Sequence, residues 1–364
     1  MRDAAVSIGA GRSQLGLIEA IHARGLAVVG VDRDPAAPGL ARCAAAVRAS
    51  THEPLEVIAR LMALEGFRIR AVLTQSSGAP AATAARAAAA LGLPGLEPRR
   101  AELSTSKAGF AELCREARVR APETVSVTDE AALLRLPPPP LVLKPARGRV
   151  GKHGVVLVRR VEELAGAFQR ARAAALDGAV VAQEHVAGRD VSTVALFREG
   201  EVRTVTTLDE RVAFAPSEGG GEARAAGVDV PSAVEGTPAA AALRSATAAL
   251  AKRLGTGMGF FSFRVPDAGD PVAIEAHLDL AGDFVTDALL ARGAGIDLVD
   301  LTLDLLLDGR LPAARRVRPA RLSFLYEEDR PRLAELAGRG ELVTDLPPIG
   351  THGGGRIGYL LETS

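Results

Sequence analysis

Apolar positions in the first part of the chain form short runs separated by helical segments. The runs at residues 4–9 and 26–31 each predict a buried strand, and residues 13–24 between them predict a helix. A further strand is expected at 70–74, followed by an Ala-rich helix that ends near residue 91. Strands that alternate with helices in this way form a parallel sheet, so we expect a Rossmann-like α/β domain at the N-terminus.

The middle of the chain changes to strands joined by loops. A predicted helix at 104–118 is followed by a proline run at 137–140, which stops local structure. After it the pattern predicts strands at 141–144, 155–158 and 179–184, with a helix at 161–176.

The last part of the chain mixes strands and helices. Residues 197–202 indicate a hairpin turn between two alternating strands, and the glycine-rich residues 213–232 are expected to form a mobile loop. The remaining predicted elements are helices at 236–254, 284–292 and 296–308, strands at 259–265 and 272–277, and short strands after residue 313.

Composition narrows the class of protein. The 364 residues carry 44 basic and 44 acidic side chains, and aromatic residues make up 3% with no Trp. Nucleic-acid binders need excess cations or stacking rings, so no nucleic-acid partner is expected. The chain has neither a long apolar run nor a basic-then-apolar start, so we expect no membrane span and no secretory signal. The two cysteines, Cys43 and Cys114, fit the reducing cytoplasm, which is the expected location.

Lysine is rare in this chain, and its positions are informative. Four of the 44 basic residues are lysines, namely Lys107, Lys144, Lys152 and Lys252. Because arginine serves almost everywhere else, a retained lysine can mark a place that needs a compact ammonium group on a flexible stem. Chance survival is the alternative explanation for each one.

The segment Gly9–Gly16 lies between a predicted strand and a predicted helix, and Asp32 ends the next strand. This arrangement is typical of a dinucleotide site, in which amides at a helix N-terminus bind pyrophosphate and the acid binds ribose. The fingerprint of such sites has glycine where this chain has Gln14. A tight strand-to-helix turn is therefore the alternative.

A glycine-rich loop joins two strands after Lys144. It contains Gly148, Gly151 and Gly154, with Lys152 among them. Glycines let backbone amides approach a phosphate closely, and Lys144 at the end of the incoming strand can reach the same phosphate. The alternative is an ordinary flexible hairpin.

A polar linker follows the predicted strand at 179–184. The linker consists of Gln183, Glu184, His185 and Val186, and Asp190 follows shortly after it. A hinge between subdomains can present backbone N–H and C=O groups to the edge of a base, while the nearby acid suits ribose hydroxyls. A surface strand with solvated charges is the alternative.

Three groups able to bind a metal alternate along the strand at 272–277. Glu275, His277 and, if the strand extends, Asp279 share one face. These side chains predict a cation site, with a solvated strand face as the alternative.

Taken in this order, the motifs resemble those of the ATP-grasp superfamily, whose members mostly join a carboxylate to an amine. The resemblance covers nearly the whole chain, from Ile8–Arg12 to Gly354–Tyr359. It implies an α/β and α+β fold, in which a Rossmann-like N-terminal domain is followed by a two-subdomain ATP-grasp fold. The implied boundaries are 1–100 for the Rossmann-like domain, 101–186 for the small subdomain with the glycine lid, 187–312 for the central subdomain with the metal site, and 313–364 for the closing strands.

The resemblance also implies roles for the nucleotide-binding half. Lys107 and Lys144 stand where family members contact nucleotide phosphates, and the loop Gly148–Gly154 with its lysine stands where they carry the lid. Gln183–Val186 matches the adenine hinge, and Asp190 matches a ribose-binding acid.

The metal-binding half departs from the family pattern. Glu275 matches the magnesium-binding glutamate, but Ser262 stands where an acid is usual, His277 where Asn is usual, and Asp279 where Arg is common. Asp279 or Asp283 could restore the missing charge, and His277 could favour manganese or orient a ligand.

The function implied by the resemblance is an ATP-dependent carboxylate–amine ligase. It would use ATP with Mg²⁺ or Mn²⁺, activate a small carboxylate as an acyl phosphate, and release ADP and phosphate. Arg264 and Arg211 are the weaker candidates for binding the substrate carboxylate. The expected partners are small-molecule carboxylate and amine substrates, with amino-acid or dipeptide-type ligation as the guess, and a homodimer is the candidate assembly.

Two other functions remain open from the sequence. One is a non-catalytic nucleotide-binding regulator or partner protein with a degenerate metal site, favoured by Ser262 and Asp279. The other is a nicotinamide oxidoreductase that uses the N-terminal domain.

Overall fold

The computed structural model describes residues 1–148, 152–217, 220–282, 284–344 and 356–363. Of the predicted site residues, Gly151 lies outside this part of the chain, as does Asp283. None of the helices in the described part is both long and apolar enough to cross a membrane.

The N-terminal region contains a parallel sheet of four strands in the order β3-β2-β1-β4. Its elements are β1 (Arg2–Ile8), α1 (Leu15–Ala23), β2 (Ala27–Val31), β3 (Ala45–Val47), α2 (Pro54–Met62), β4 (Phe67–Thr74) and α3 (Ala79–Ala90). Val6, Val29 and Ala87 belong to one buried cluster between the sheet and its helices. The predicted Rossmann-like arrangement is confirmed, because a parallel sheet covered by helices needs the continuous apolar strands seen in the sequence.

Two helices lead into a small antiparallel sheet, which we call the small lobe (β5–β8). The elements here are α4 (Pro98–Ser104), α5 (Lys107–Ala117), β5 (Thr124–Val127), α6 (Glu130–Leu133), β6 (Leu141–Pro145), β7 (Val156–Val158), α7 (Leu164–Ala174) and β8 (Val180–Glu184). The strands lie in the order β7-β6-β8-β5, and α7 packs Phe168 against them. The predicted single helix at 104–118 is α5, with the shorter α4 before it.

Five longer antiparallel strands form what we call the large lobe (β9–β13). They are β9 (Arg189–Arg198), β10 (Glu201–Ser217), β11 (Gly220–Val230), β12 (Gly257–Val265) and β13 (Val272–His277), with α8 (Pro238–Ala251) between β11 and β12. The order is β13-β12-β9-β10-β11, and β11 then pairs with β7 of the small lobe. One sheet therefore runs through both lobes.

The prediction of a mobile loop at 213–232 is wrong. This segment forms most of the β10–β11 hairpin, whose strands pair from Asp209↔Asp229 to Ser217↔Gly220. Glycine marks close packing here, because a Cβ on Gly227 would lie 2.2 Å from the carbonyl oxygen of Leu322 on the next strand. Backbone pairing on both sides of β11 outweighs the low strand propensity of glycine.

The C-terminal elements complete the sheet and cover it. They are a π-helix (Val285–Ala294), α9 (Leu298–Asp308), β14 (Ala320–Tyr326), α10 (Leu333–Leu336), β15 (Glu341–Thr344) and β16 (Arg356–Thr363). Strand β14 pairs with β11 and β16, and β15 pairs with β16. The predicted closing strands are thus present, and the helix predicted at 284–292 has π geometry.

Gly188 connects the lobes at a point where a side chain does not fit. Its φ is +130°, and a Cβ there would lie 2.2 Å from the carbonyl oxygen of Val265. We expect Gly188→Ala to lower the free energy of unfolding by about 2–4 kcal/mol, since the backbone strain and the clash add. Urea unfolding measures this loss.

The matched control is Gly200→Ala, in the turn between β9 and β10. Gly200 also has positive φ, at +88°, but no described atom lies within 4 Å of the point that a Cβ would take there. In Gly200→Ala the backbone strain alone should lower the free energy of unfolding, by about 1–2 kcal/mol. Equal losses in the two variants would contradict the proposed clash.

Candidate active site

The start of α5 lies beside the end of β6, and we call the space shared by the side chains of Lys107, Lys144, Lys152, Glu210 and Glu275 the cleft. The Ser106 hydroxyl caps α5 by accepting a hydrogen bond of 3.1 Å from the Gly109 amide. The Lys107 amide donates to the Ala146 carbonyl at 3.4 Å. The cap and this contact place the Lys107 side chain at the mouth of the cleft, near the end of the strand that carries Lys144.

Lys107 forms an ion pair with Glu275 on β13, a strand of the large lobe that shares a buried apolar cluster with α5. The ammonium group holds the pKa of Glu275 well below its ordinary value, although burial opposes this shift. His277 lies 3.5 Å from the same carboxylate, and its pKa is raised because Glu275 outweighs burial. Glu275 is therefore a carboxylate over the whole physiological pH range.

Lys144 lies deeper in the same cleft, with 6% of its surface exposed. Its pKa is lowered to about 7, first because burial disfavours the charged form and second because Lys107 repels it. Glu275 and Asp190 offset part of this shift. The cleft thus holds an ammonium group that an added anion would stabilise.

Lys152 lies in the glycine-rich loop and reaches Glu210 on β10, with 3.3 Å between Nζ and the carboxylate. Burial alone would lower the pKa of Lys152, but Glu210 and Asp190 outweigh it and raise the pKa. Glu210 also accepts hydrogen bonds from Ser192 at 2.5 Å and Ser262 at 3.2 Å.

Glu210 is a site residue that the sequence reasoning missed. Residues 208–211 read Leu-Asp-Glu-Arg, so no apolar/polar alternation marks the face of the strand on which Glu210 lies. The pairing of β10 with β9 and the contacts of Glu210 with Ser192 and Ser262 identify it in the structure.

The predicted hinge residues lie where the small lobe meets the large lobe. Gln183 is buried and donates to the Thr124 hydroxyl at 2.8 Å, and Val186 is also buried. The Glu184 amide donates to the Glu123 carbonyl at 3.0 Å. Burial, followed by repulsion from Arg264 and Arg159, lowers the pKa of His185, so the imidazole is neutral at neutral pH.

Asp190 and Arg264 face each other across β9 and β12. The Arg264 Nε lies 2.9 Å from the Asp190 carboxylate, and Arg264 also donates to the Gly188 carbonyl at 2.7 Å. Burial raises the pKa of Asp190, while Lys152 and Arg264 lower it in part. Arg264 thus lies on the cleft face that it was predicted to share with Ser262, and its charge is engaged by Asp190.

Arg211 does not reach the cleft. It pairs with Asp229 at 3.1 Å and donates to the Leu322 carbonyl at 2.9 Å. Its neighbour Glu210 points into the cleft, and adjacent residues of a strand face opposite sides of the sheet. The prediction that Arg211 binds the substrate carboxylate in this cleft therefore does not agree with the structure.

Asp279 does not continue the alternation of Glu275 and His277, because β13 ends at His277. Its Oδ1 accepts a hydrogen bond of 2.9 Å from the Ala281 amide, and burial raises its pKa. Asp279 borders a separate cavity between the N-terminal sheet and the large lobe, which Thr74 and Met258 also line.

The glycines of the predicted lid have different roles. Gly148 pairs with Ala175 in an isolated bridge. Gly154 has φ +73°, and a Cβ there would lie 2.4 Å from that of Ala174 on α7. Packing of the loop against α7 thus requires glycine at 154.

The N-terminal loop after β1 is held by Asp32. One carboxylate oxygen accepts a hydrogen bond of 3.0 Å from the Ala10 amide, and the other accepts one of 3.0 Å from the Asp34 amide. Gln14 donates to the Ser76 hydroxyl at 3.0 Å. Because both oxygens of Asp32 serve the backbone, these contacts favour the tight-turn interpretation over a dinucleotide site.

The donor set of the cleft fits a divalent ion that phosphate oxygens help to hold. In the described residues no three His, Cys, Asp or Glu side chains are grouped to bind a metal without help. Mg²⁺ is commonly bound through one or two carboxylates together with substrate phosphates, and Glu275 supplies hard oxygen atoms in the cleft.

Comparison with known proteins yields matches among solved structures. No family model matches the chain, and no curated protein sequence matches it. The L-amino acid ligase from Bacillus licheniformis matches with 20% identity and a TM-score of 0.73, over 100% of this chain and 94% of that chain. N5-carboxyaminoimidazole synthetase from Staphylococcus aureus, complexed with ADP, matches with 13% identity and a TM-score of 0.74, over 100% and 93%.

A third match comes from Hydrogenobacter thermophilus. The biotin carboxylase domain dimer of its 2-oxoglutarate carboxylase, solved with MgADP and bicarbonate, has 15% identity and a TM-score of 0.72, over 100% of this chain and 86% of that chain. All three structures have the ATP-grasp fold. At 20% identity or less these matches show that this chain shares their fold, and the fold predicted from the sequence is confirmed.

The lowered pKa of Lys144 predicts proton uptake when a nucleotide binds. Phosphates beside Lys144 would raise its pKa from about 7 toward the ordinary value, so near pH 8 the group would pass from mostly neutral to protonated. The affinity for ADP should therefore fall as the pH rises above about 7. Titration calorimetry in two buffers of different ionisation enthalpy measures the uptake.

Lys144→Ala should abolish most of this buffer dependence, whereas Lys252→Ala should keep it. Lys252 is exposed at the end of α8, so it is the matched lysine control. Equal binding enthalpies for the parent protein in both buffers would contradict the prediction.

Proposed function

We propose that this protein is an ATP-dependent carboxylate–amine ligase. The observation that carries the proposal is the convergence of three lysines, Lys107, Lys144 and Lys152, with Glu275 in one cleft. A group of lysines beside a carboxylate suits a polyphosphate that shares a divalent ion with the protein. The chain has four lysines in all, so the presence of three of them in one cleft supports a phosphate-binding role for this cleft.

In the proposed reaction a substrate carboxylate oxygen attacks the γ-phosphorus of ATP, and the bond from that phosphorus to ADP breaks. An amine then attacks the acyl carbon, phosphate leaves, and the nitrogen loses a proton. Phosphoryl transfer needs positioning and charge neutralisation more than covalent help. Lys107 and Lys144 would bind the α- and β-phosphates.

The remaining groups would position and protect the reactants. Glu275 would hold Mg²⁺, which when bound neutralises charge on the phosphates. The loop that carries Lys152 would close over the cleft and keep water from the acyl phosphate. Residues 183–186 would contact the adenine, and Asp190 the ribose. Arg264 is the remaining candidate for binding the substrate carboxylate. That carboxylate would compete with Asp190 for the Arg264 guanidinium.

The names of the matching structures support the class of reaction. They include an amino acid ligase and a synthetase complexed with ADP. Amino-acid or dipeptide-type ligation is the substrate class that we propose to test first. A homodimer is also proposed, and the dimer named for the carboxylase domain supports testing it.

A non-catalytic nucleotide-binding protein is the second candidate function. It is favoured by Ser262, which has no carboxylate of its own to offer a metal and hydrogen-bonds to Ser192. Nucleotide binding without turnover on a broad panel of substrate pairs would support this alternative.

The ligase proposal predicts phosphate release that needs both substrates. A screen of amino-acid and small-carboxylate pairs with ATP and Mg²⁺ should find pairs for which neither partner suffices alone. Lys144→Ala should reduce the rate to background, since it removes a buried phosphate-binding cation, while Lys252→Ala should keep it. An unchanged rate in Lys144→Ala would remove that residue from the mechanism.

The role of Glu275 predicts a change in metal dependence. Glu275→Gln should require at least about tenfold more Mg²⁺ for half-maximal phosphate release, because a neutral amide binds the ion poorly. Asp270→Asn, an exposed carboxylate just before β13, is the control and should leave the Mg²⁺ dependence unaltered. The same Mg²⁺ titration for Glu275→Gln and parent would refute the assignment.

A further inference from the structure

A row of polar side chains crosses four adjacent strands on the cleft face of the large lobe. Glu275 on β13 lies in register with Ser262 on β12, and Ser262 lies in register with Ser192 on β9. Glu210 on β10 completes the row by its hydrogen bonds to both serines. The two carboxylates therefore approach the same place from opposite ends.

The Glu210 side chain leans across β9 toward β12. Its Oε1 accepts a hydrogen bond of 2.5 Å from the Ser192 hydroxyl and one of 3.2 Å from the Ser262 hydroxyl. The two hydroxyls are also 2.8 Å apart. Because serine is short at both positions, the carboxylate of Glu210 occupies the space that a longer side chain at 262 would fill.

We propose that Glu210 is the second metal-binding carboxylate of this site and replaces an acid at position 262. This inference rests on the proposed function, since it concerns the Mg²⁺ that would accompany ATP. Glu275 and Glu210 would then hold the ion from opposite ends of the row, with the nucleotide phosphates supplying further oxygen ligands.

The charges in the cleft are consistent with Glu210 taking the place of an acid at position 262. Glu275 is paired with Lys107, and Glu210 with Lys152. When phosphates draw these two lysines away, both carboxylates lose their counter-charge. A divalent cation restores it, and the serines keep Glu210 oriented toward Glu275.

Asp279 is the rival for this role, and its position argues against it. It lies beyond the end of β13 and beside the separate cavity. Its Oδ1 accepts from the Ala281 amide, whereas its Oδ2 is buried with no hydrogen-bond partner among the described residues, so Asp279→Asn is included in the experiment. The other rival is a role for Glu210 as an ion-pair partner of Lys152 alone, which the experiment separates.

The experiment is a titration of Mn²⁺ into the protein saturated with ADP, followed by calorimetry and by the electron paramagnetic resonance of free Mn²⁺. Glu210→Gln should weaken Mn²⁺ binding at least about tenfold. Glu201→Gln, at the exposed start of β10, and Asp279→Asn should bind Mn²⁺ as the parent does. ADP binding measured in EDTA reports the nucleotide site separately.

A second variant moves the carboxylate. Adding Ser262→Glu to Glu210→Gln should regain most of the lost Mn²⁺ affinity, because the acid returns to the same space. Thermal melting checks that each variant is folded, and Glu210→Asp, expected to weaken Mn²⁺ binding less, replaces Glu210→Gln if that variant does not fold.

The outcomes separate the inference from the proposed function. Parent-like Mn²⁺ affinity in the folded Glu210 variant, or no recovery with Ser262→Glu, overturns the role of Glu210 and leaves nucleotide binding intact. Absence of ADP binding by the parent in EDTA and with Mn²⁺ overturns the proposed function, and the inference with it.

Discussion

The ion pair between Lys107 and Glu275 joins the start of α5 to strand β13 of the large lobe. It brings a cation from one part of the chain and an anion from another into a partly buried space, where neither is stable alone. Lys144 shares this space and, because it is buried near Lys107, has its pKa lowered to about 7. The cleft is therefore organised around a charge balance that a phosphate-bearing ligand can change.

The same logic extends to the second pair, Lys152 with Glu210. In each pair the acid lies on a strand of the large lobe. The lysine lies at the start of α5 in one pair and between β6 and β7 in the other. The two acids lie on strands of one continuous sheet, in which β9 separates β10 from β12. A ligand that replaces either lysine as the counter-charge of its acid therefore changes the contact between the large lobe and the segment that carries that lysine.

The sequence predicted the fold well where local patterns were strong. The parallel N-terminal strands and the hairpin strands β12 and β13 follow directly from apolar periodicity and turn residues. It predicted Lys107, Lys144 and Glu275 as neighbours only through the resemblance to a family. The glycine-rich part of the β10–β11 hairpin was missed because its glycines suggested a loop, although its two strands are neighbours in the chain. The pairing of β11 with the distant strand β14 is not visible in the local pattern.

The two mistakes about the site concern residues just before the segment predicted to be a loop. Once 201–217 is a strand, alternation puts Glu210 in the cleft and turns Arg211 toward Asp229 on the other face. Ser262 then no longer means a lost carboxylate, since its hydroxyl hydrogen-bonds to one supplied from β10. The missing acid on β12 and the extra acid on β10 are thus joined by hydrogen bonds across neighbouring strands, which is the observation behind the proposed exchange.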